Sequence, residues 1–429
     1  MTAIKFLFKN SRLLKYFIFS LTCVVFAMIL TSCEQNPTAP NEPPKPYGYQ
    51  EDIYWPSLAD SPWPMYQHDP QNTGRSKYKG PQSGAKIWEY DSVSIESGIV
   101  INGNGSIIFQ TGGSPLGWGK IYSINTDGSL DWNYSVDQIA SGTTPLVMND
   151  GKIISSTYIG GKIVALDPNG NELWNYNTGG YINNVNLTVG LDGSIYFVDT
   201  SRTLYSLNSN GVLLWTLKIE NAIFGYGVNP SLAFSQDGKR LYITGANYAL
   251  NAVDIQTQSV LWTYGNYFNV SPPVIDNRGN IYLCGKPKSD ERTSLTKLDP
   301  NGDELWIKYW GDGTEPYFYP PTIDKNGNIY FGYDSLHSVT YDGVLRWKVD
   351  LFDSDIGSIL SPISCDNNSV VYVPVEIDGQ FSRIFAINSD GLLIWQSDLL
   401  EGHSGDSPAL SDGKMFFPTY RSEKLYLIQ

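Results

Sequence analysis

Histidine is almost missing from this sequence, at 3 of 429 residues, and cysteine is scarce, at 4. With so few soft ligands, a zinc site of the usual Cys/His kind has little to be built from. A metal site made of carboxylates alone stays open. Charge is thin as well, at 17% of residues, and one sign dominates: 29 Lys and Arg stand against 43 Asp and Glu. The net charge of −14 repels phosphate backbones and argues against nucleic acid as a partner. The apolar run Phe17–Leu30 falls short of the roughly 20 residues of a membrane span. What is plentiful is glycine, at 41, and aromatic side chains, at 14%. So many aromatics exclude a disordered chain. Glycine together with 25 prolines points to a turn-rich β fold. A chain of this length buries a large core if it is organised as repeats.

Residues 1–32 read as an address label rather than as fold. Lys5, Lys9, Arg12 and Lys15 make a basic region, the apolar run follows, and Leu30-Thr31-Ser32-Cys33 ends it. This order resembles the lipobox of bacterial lipoproteins, whose cysteine is acylated and becomes the first residue after cleavage. The resemblance implies a lipid anchor at Cys33, hence a membrane-tethered protein of the cell envelope. A plain secretory peptide or a membrane anchor is the alternative. Pro37, Pro40, Pro43, Pro44 and Pro46 then mark residues 33–61 as the lipidated cysteine plus a semi-rigid linker. Cys23 leaves with the leader and Cys33 carries lipid, so Cys284 and Cys365 remain. They fall in non-neighbouring repeats and are expected as two buried free thiols.

Internal periodicity decides the fold. Trp88, Trp132, Trp174, Trp215, Trp262, Trp306, Trp347 and Trp395 recur at intervals of 41 to 48 residues. Four residues before each stands Gly84, Gly128, Gly170, Gly211, Gln258, Gly302, Gly343 or Gly391. The local text, as in IVALDPNGNELWNY, is an alternating strand, a tight turn that wants positive φ, and a second strand carrying the Trp. An earlier turn series, Gly105, Gly151, Gly193, Gly238, Gly279, Gly327, Asn368 and Gly413, introduces strands such as NIYLCG. Each unit thus holds two hairpins in about 43 residues, the length of one propeller blade. A helix-pair solenoid would not place Asn-Gly turns inside every repeat. The last unit supplies three strands, and its missing Trp strand is AKIWEY around Trp88. The expectation is an all-β, eight-bladed propeller of four-stranded antiparallel blades over residues 62–429. Its ring closes by pairing N- and C-terminal strands. Seven blades with a stray hairpin is the less economical count.

The repeat with its Trp strand resembles the pyrroloquinoline quinone (PQQ)-type β-propeller repeat. The lead-in SPWPMYQHDPQNTGRSKYKG resembles the segment that opens quinoprotein dehydrogenase propellers and their non-enzymatic relatives. For a dehydrogenase, the resemblance implies PQQ in the central funnel over a Ca²⁺ held by Glu, Asn and Asp. It also implies an Asp base and a stacked Trp. The chain has no adjacent cysteine pair and no Cys-x-x-Cys-His haem motif, and no residue can be assigned as Ca²⁺ ligand or base. Trp132 belongs to the repeat series and Trp310 to a loop. Asp276–Asn280 and Asp324–Asn328 faintly resemble calcium loops but lack the ligand spread of an EF-hand, and hairpin turns select the same residues. No catalytic residue, metal or cofactor is therefore expected. His68 reads as a packing or hydrogen-bonding residue, and His337 and His403 have no identifiable partner. Lipobox, spacer and propeller together are similar in architecture to scaffold lipoproteins of outer-membrane β-barrel assembly, although one fold hosts many functions.

In a propeller the tight turns gather on one face and the longer connections on the other. The long connections carry Tyr181, Phe224, Tyr226, Tyr267, Phe268, Tyr309, Trp310, Tyr317, Phe318 and Tyr319. Rigid aromatics on adjacent loops are the usual material of binding hot spots, and some also wedge between blades. Two further loops, Gln110–Lys120 with Trp118 and the charged Cys284–Ser294, lie on the same face. The sequence reads as a non-catalytic envelope scaffold that binds other proteins. A glycan-binding surface propeller and a PQQ/Ca²⁺ dehydrogenase are the alternatives.

Overall fold

The computed structural model describes residues 44–91, 95, 97–112, 119–136, 143–157, 159–182, 186–219, 231–244, 250–265, 267–290, 292–311, 318–351, 357–403, 407–419 and 424–429. The expected anchor at Cys33 lies outside them.

Eight antiparallel sheets follow one another along the chain. Blade 1 runs from the axis outward as Val100–Ile101, Ile107–Thr111, Lys120–Ile124 and Leu130–Ser135. Blades 2 to 7 repeat that order and end in the strands of Trp174, Trp215, Trp262, Trp306, Trp347 and Trp395. Blade 8 is composite: Ala409–Ser411, Lys414–Thr419 and Lys424–Ile428 come from the C-terminal end, and Lys86–Asp91 supplies the outer strand. Trp88 pairs with Leu427 and Tyr90 with Leu425, so the ring closes as expected. Cys284 in blade 5 and Cys365 in blade 7 are buried and free.

The Trp–Gly spacing has a mechanical cause. In all eight blades the outer pair has a register shift just before the Trp, as between Ser123 and Ile124, which face Trp132 and Leu130. The skipped residue is left unpaired, and the bulge re-aims the indole towards the next blade. There it lies on the turn glycine: a Cβ on Gly170 would sit 2.5 Å from Trp132, and one on Gly211 2.4 Å from Trp174. Trp132 Nε1 donates to the Pro168 carbonyl and Trp174 Nε1 to that of Ser209. The bulge also explains why Leu173, Leu214, Leu261 and Leu305, each one residue before a Trp, stand exposed on the outer edge.

Two turns depart from the sequence pattern. In blade 7 the left-handed residue is Ser369 (φ 61°) rather than Asn368, because Asp366 and not Asn367 opens the turn. Gly84 matches the series by position yet has no positive φ. The chain reaches it from the lead-in, with no hairpin to turn.

Packing begins earlier than residue 62. Trp55 Nε1 donates to the Val189 carbonyl and Ser57 Oγ to that of Gly190, both at blade 3. From Trp63 onward the lead-in crosses the tight-turn end of the axis. Carbonyls of Trp63, Pro64, Pro70, Gln71, Thr73, Gly74 and Lys79 accept from Ile101, Val147, Phe234, Ile275, Ile323, Cys365 and Gly413. One segment therefore touches all eight blades. The innermost strands are sheet edges whose free N–H groups would otherwise face a channel, and these carbonyls satisfy them. Trp63 and Trp55 join the inter-blade cores.

Candidate functional site

The turn carboxylates were the first candidates for an ion. Asp276 Oδ1 accepts from the N–H groups of Arg278 and Asn280, while Oδ2 accepts from Asn280 Nδ2 and the Tyr282 hydroxyl. Asp324 repeats this with Asn326, Asn328 and Tyr330, and Asp366 with Asn368, Val370 and Tyr372. Burial and then the neighbouring carboxylate push the Tyr282, Tyr330 and Tyr372 hydroxyls well above the ordinary phenol range, so they stay protonated donors. Each Asp is thus occupied as a turn clamp. Among the described residues no three His, Cys, Asp or Glu side chains come together to hold a metal ion.

The aromatic loop residues separate into wedges and surface. Tyr267 and Phe318 are buried, each in the core of its own blade junction. Trp310 leans on Phe331 and His337, and its half-buried ring fills the seam between blades 5 and 6. Tyr319 is partly buried and Phe268 lies in the strand Tyr267–Val270. Tyr181 and Tyr309 are exposed. Phe224, Tyr226 and Tyr317 lie outside the described residues, as does Trp118.

Tyr309 and Tyr267 do share a surface feature. A groove of about 470 Å³ between blades 4 and 5 is lined by Tyr264, Tyr267, Lys288, Glu304 and Tyr309. Tyr264 donates its hydroxyl to Glu304 at 2.8 Å, and Arg292 covers the Tyr309 ring at 4.2 Å while paired to Asp290. Lys288 belongs to the charged loop Cys284–Ser294 that the sequence marks, whereas Tyr264 carries no such mark. Tyr264 ends a Trp strand, where alternation alone gives no sign of a groove. His403, without a visible partner in the sequence, has one in the fold: its Nδ1 lies 2.8 Å from Glu376 Oε2. These residues are far apart in the chain, and only strand pairing joins them.

Fold and repeat together define the class: an eight-bladed β-propeller of PQQ-type repeats, with its axis closed at one end by its own lead-in. Residues 78–284 match the family model described as outer membrane protein assembly factor BamB. The ring is similar to BamB from Moraxella catarrhalis, at 13% identity and TM-score 0.61, over 80% of this chain and 99% of that one. It is equally similar in fold to the quinohemoprotein alcohol dehydrogenase from Comamonas testosteroni, at 12% identity and TM-score 0.61, over 85% of this chain and 80% of that one. The computationally designed Ika8 protein also scores 0.61, at 14% identity, over 81% of this chain and 99% of that one. No curated protein matches the chain in sequence. The chain is an eight-bladed β-propeller, and its residues 78–284 are similar to the BamB family's PQQ-type repeats.

Proposed function

We propose that this protein is a non-catalytic scaffold of the bacterial cell envelope, lipid-anchored through Cys33. In this reading it binds other envelope proteins with the loop face of its propeller and serves in outer-membrane protein assembly. The observation that carries the reading is the tyrosine-lined groove beside Tyr309, a residue 37% exposed on the loop face. Tyrosines offer large, rigid contact area with a polar tip, which suits protein recognition. The likeness to BamB supports the same reading.

Photo-crosslinking in living cells tests it. A photoreactive residue replaces Tyr309 in one strain and Leu345, exposed beside a tight turn, in a control strain. The expected result is a discrete protein adduct from Tyr309 and none from Leu345. No adduct from a folded, exported Tyr309 variant, or equal adducts from both, overturns the scaffold role of this groove. A melting temperature raised by a glycan, with no protein adduct, favours the carbohydrate reading instead.

A further inference from the structure

Among the described residues, most of the large apolar side chains that stand exposed lie along one rim, where the outer strands leave their tight turns. Two sectors of that rim are richest. Val212, Leu213 and Leu214 begin the outer strand of blade 3, and Val344, Leu345, Leu392, Leu393 and Ile394 begin those of blades 6 and 7. The second sector is contiguous. Trp347 Nε1 and Arg346 Nη2 both donate to the Ser389 carbonyl, at 2.9 and 2.7 Å, and a Cβ on Gly391 would sit 2.8 Å from Trp347. The tight turn of blade 7 therefore lies against the outer strand of blade 6. Its apolar side chains and those of blade 6, each 50 to 64% exposed, share one surface. Contiguous exposed apolar surface marks a contact with protein or with membrane.

The two sectors differ in where the chain joins the ring. The Tyr47 ring packs edge-on against Tyr341 at 5.3 Å, Arg278 covers it at 4.6 Å, and the Gln50 N–H donates to the Lys325 carbonyl at 2.8 Å. Tyr341 sits in the turn closed by the bonds from Gly343 N–H to the Thr340 carbonyl and from Thr340 N–H to the Val344 carbonyl. The turn that holds Tyr47 is thus the one that presents Val344 and Leu345. Blade 3 stands across the ring from blade 7, with no such junction. Tyr47 comes 14 positions after Cys33, and that Pro-rich stretch spans at most about 45 Å at full extension.

We propose that the sector of blades 6 and 7 is a membrane-resting surface, laid against the headgroup layer of the bilayer that anchors the chain. The proposal rests on the lipid anchor at Cys33. A tether this short holds the rim at millimolar effective concentration, so contacts too weak to bind a free protein to lipid suffice. The side chains of Val344, Leu345, Leu392, Leu393 and Ile394 then leave water for the boundary between headgroups and acyl chains. The blade 3 sector, of the same residue types but far from the tether, stays in water. The loop face with Tyr309 is left free for partners.

Fluorescence quenching in vesicles tests this on the full chain, purified from membranes, with the acylation of Cys33 read by mass. Cys284 and Cys365 are buried, so a bimane label goes to Leu393→Cys in one protein and to Leu214→Cys in another. Each is reconstituted in phosphatidylcholine vesicles with and without a doxyl-phospholipid quencher. Leu393→Cys is expected to lose about half of its emission or more to the quencher, and Leu214→Cys almost none. Replacing Val344 and Leu345 together by Asn, at exposed positions, is expected to restore most of that emission. An acylated protein with no quenching at Leu393→Cys, or with equal quenching at both sites, overturns the proposal and leaves the anchor standing. So does a Leu393→Cys signal that follows protein density rather than quencher, which marks a second copy on this surface. A chain whose Cys33 carries no lipid overturns the anchor, and this proposal with it.

Discussion

Alanine fails in two separable ways at a turn glycine covered by the indole of the preceding blade. Gly211 has φ 78°, and a Cβ there would lie 2.4 Å from the Trp174 ring. Gly179 has φ 75° with nothing within 4 Å. Left-handed backbone costs an alanine roughly 1–2 kcal/mol, and overpacking adds about 1–3 kcal/mol. Gly179→Ala is therefore expected to lose only the first amount, and Gly211→Ala the sum, in parallel thermal melts. Equal losses would mean that the indole yields. Gln258 and Ser369, at φ 53° and 61°, are two turns that carry the backbone cost without glycine. Without a glycine to mark it, the blade 7 turn reads one residue early in the sequence, at Asn368 instead of Ser369. His337 offers a second test. Burial, then the nearby Lys348, lowers its pKa to about 4 against an ordinary 6.5, with Asp350 opposing. Trp310 and Phe331 cover the ring. The unfolded chain then binds the proton more readily, so His337 contributes fully above pH 6.5 and its contribution is lost as pH falls to 4, by about 1–3 kcal/mol. Replacement by Asn should flatten that part of a stability–pH curve. A slope unchanged in His337→Asn would show that other groups cause it.

At the scale of elements, legibility followed locality. A strand, its turn and the next strand are set by residues within a dozen positions, and seven Trp hairpins are legible from alternation and turn chemistry. The wedge-or-surface fate of loop aromatics could not. Tyr267 and Phe318 are buried because a neighbouring blade leans over them, while Tyr181 and Tyr309, of similar local text, face solvent. The lead-in shows the limit more sharply. Its composition marked a Pro-rich spacer, and its wording resembled a family segment. Nothing in either told that its carbonyls would take the inner N–H groups of successive blades, since backbone acceptors leave no trace in side-chain identity. Gly74 is the one visible hint: at φ 65°, a Cβ there would press on Thr322 and on the Ile363 carbonyl.

For the whole molecule, closure decides whether eight blades act as one. Propeller blades meet only their neighbours, so an open ring behaves as a linear array with two exposed ends. Here the lead-in spans the axis and then delivers Lys86–Asp91 to blade 8, so two devices resist opening. The strand Lys424–Ile428 pairs on both sides, with Lys86–Asp91 and with Lys414–Thr419. Leu425, Leu427 and Ile428 are buried, each stabilising by roughly 1.5–3 kcal/mol. Their sum is comparable to the 5–15 kcal/mol that typically separates a folded domain from its unfolded chain. Removing 424–429 is therefore expected to abolish a single cooperative melt, although losing six terminal residues is harmless in most proteins. Lys424→Ala, which removes ion pairs to Glu89, Asp91 and Glu401 at the surface, is the control and should cost under about 1 kcal/mol. If the truncated chain melts as sharply and as high as the intact one, the lead-in across the axis holds the ring by itself. In that event the Trp88 strand is an accessory to closure rather than its cause.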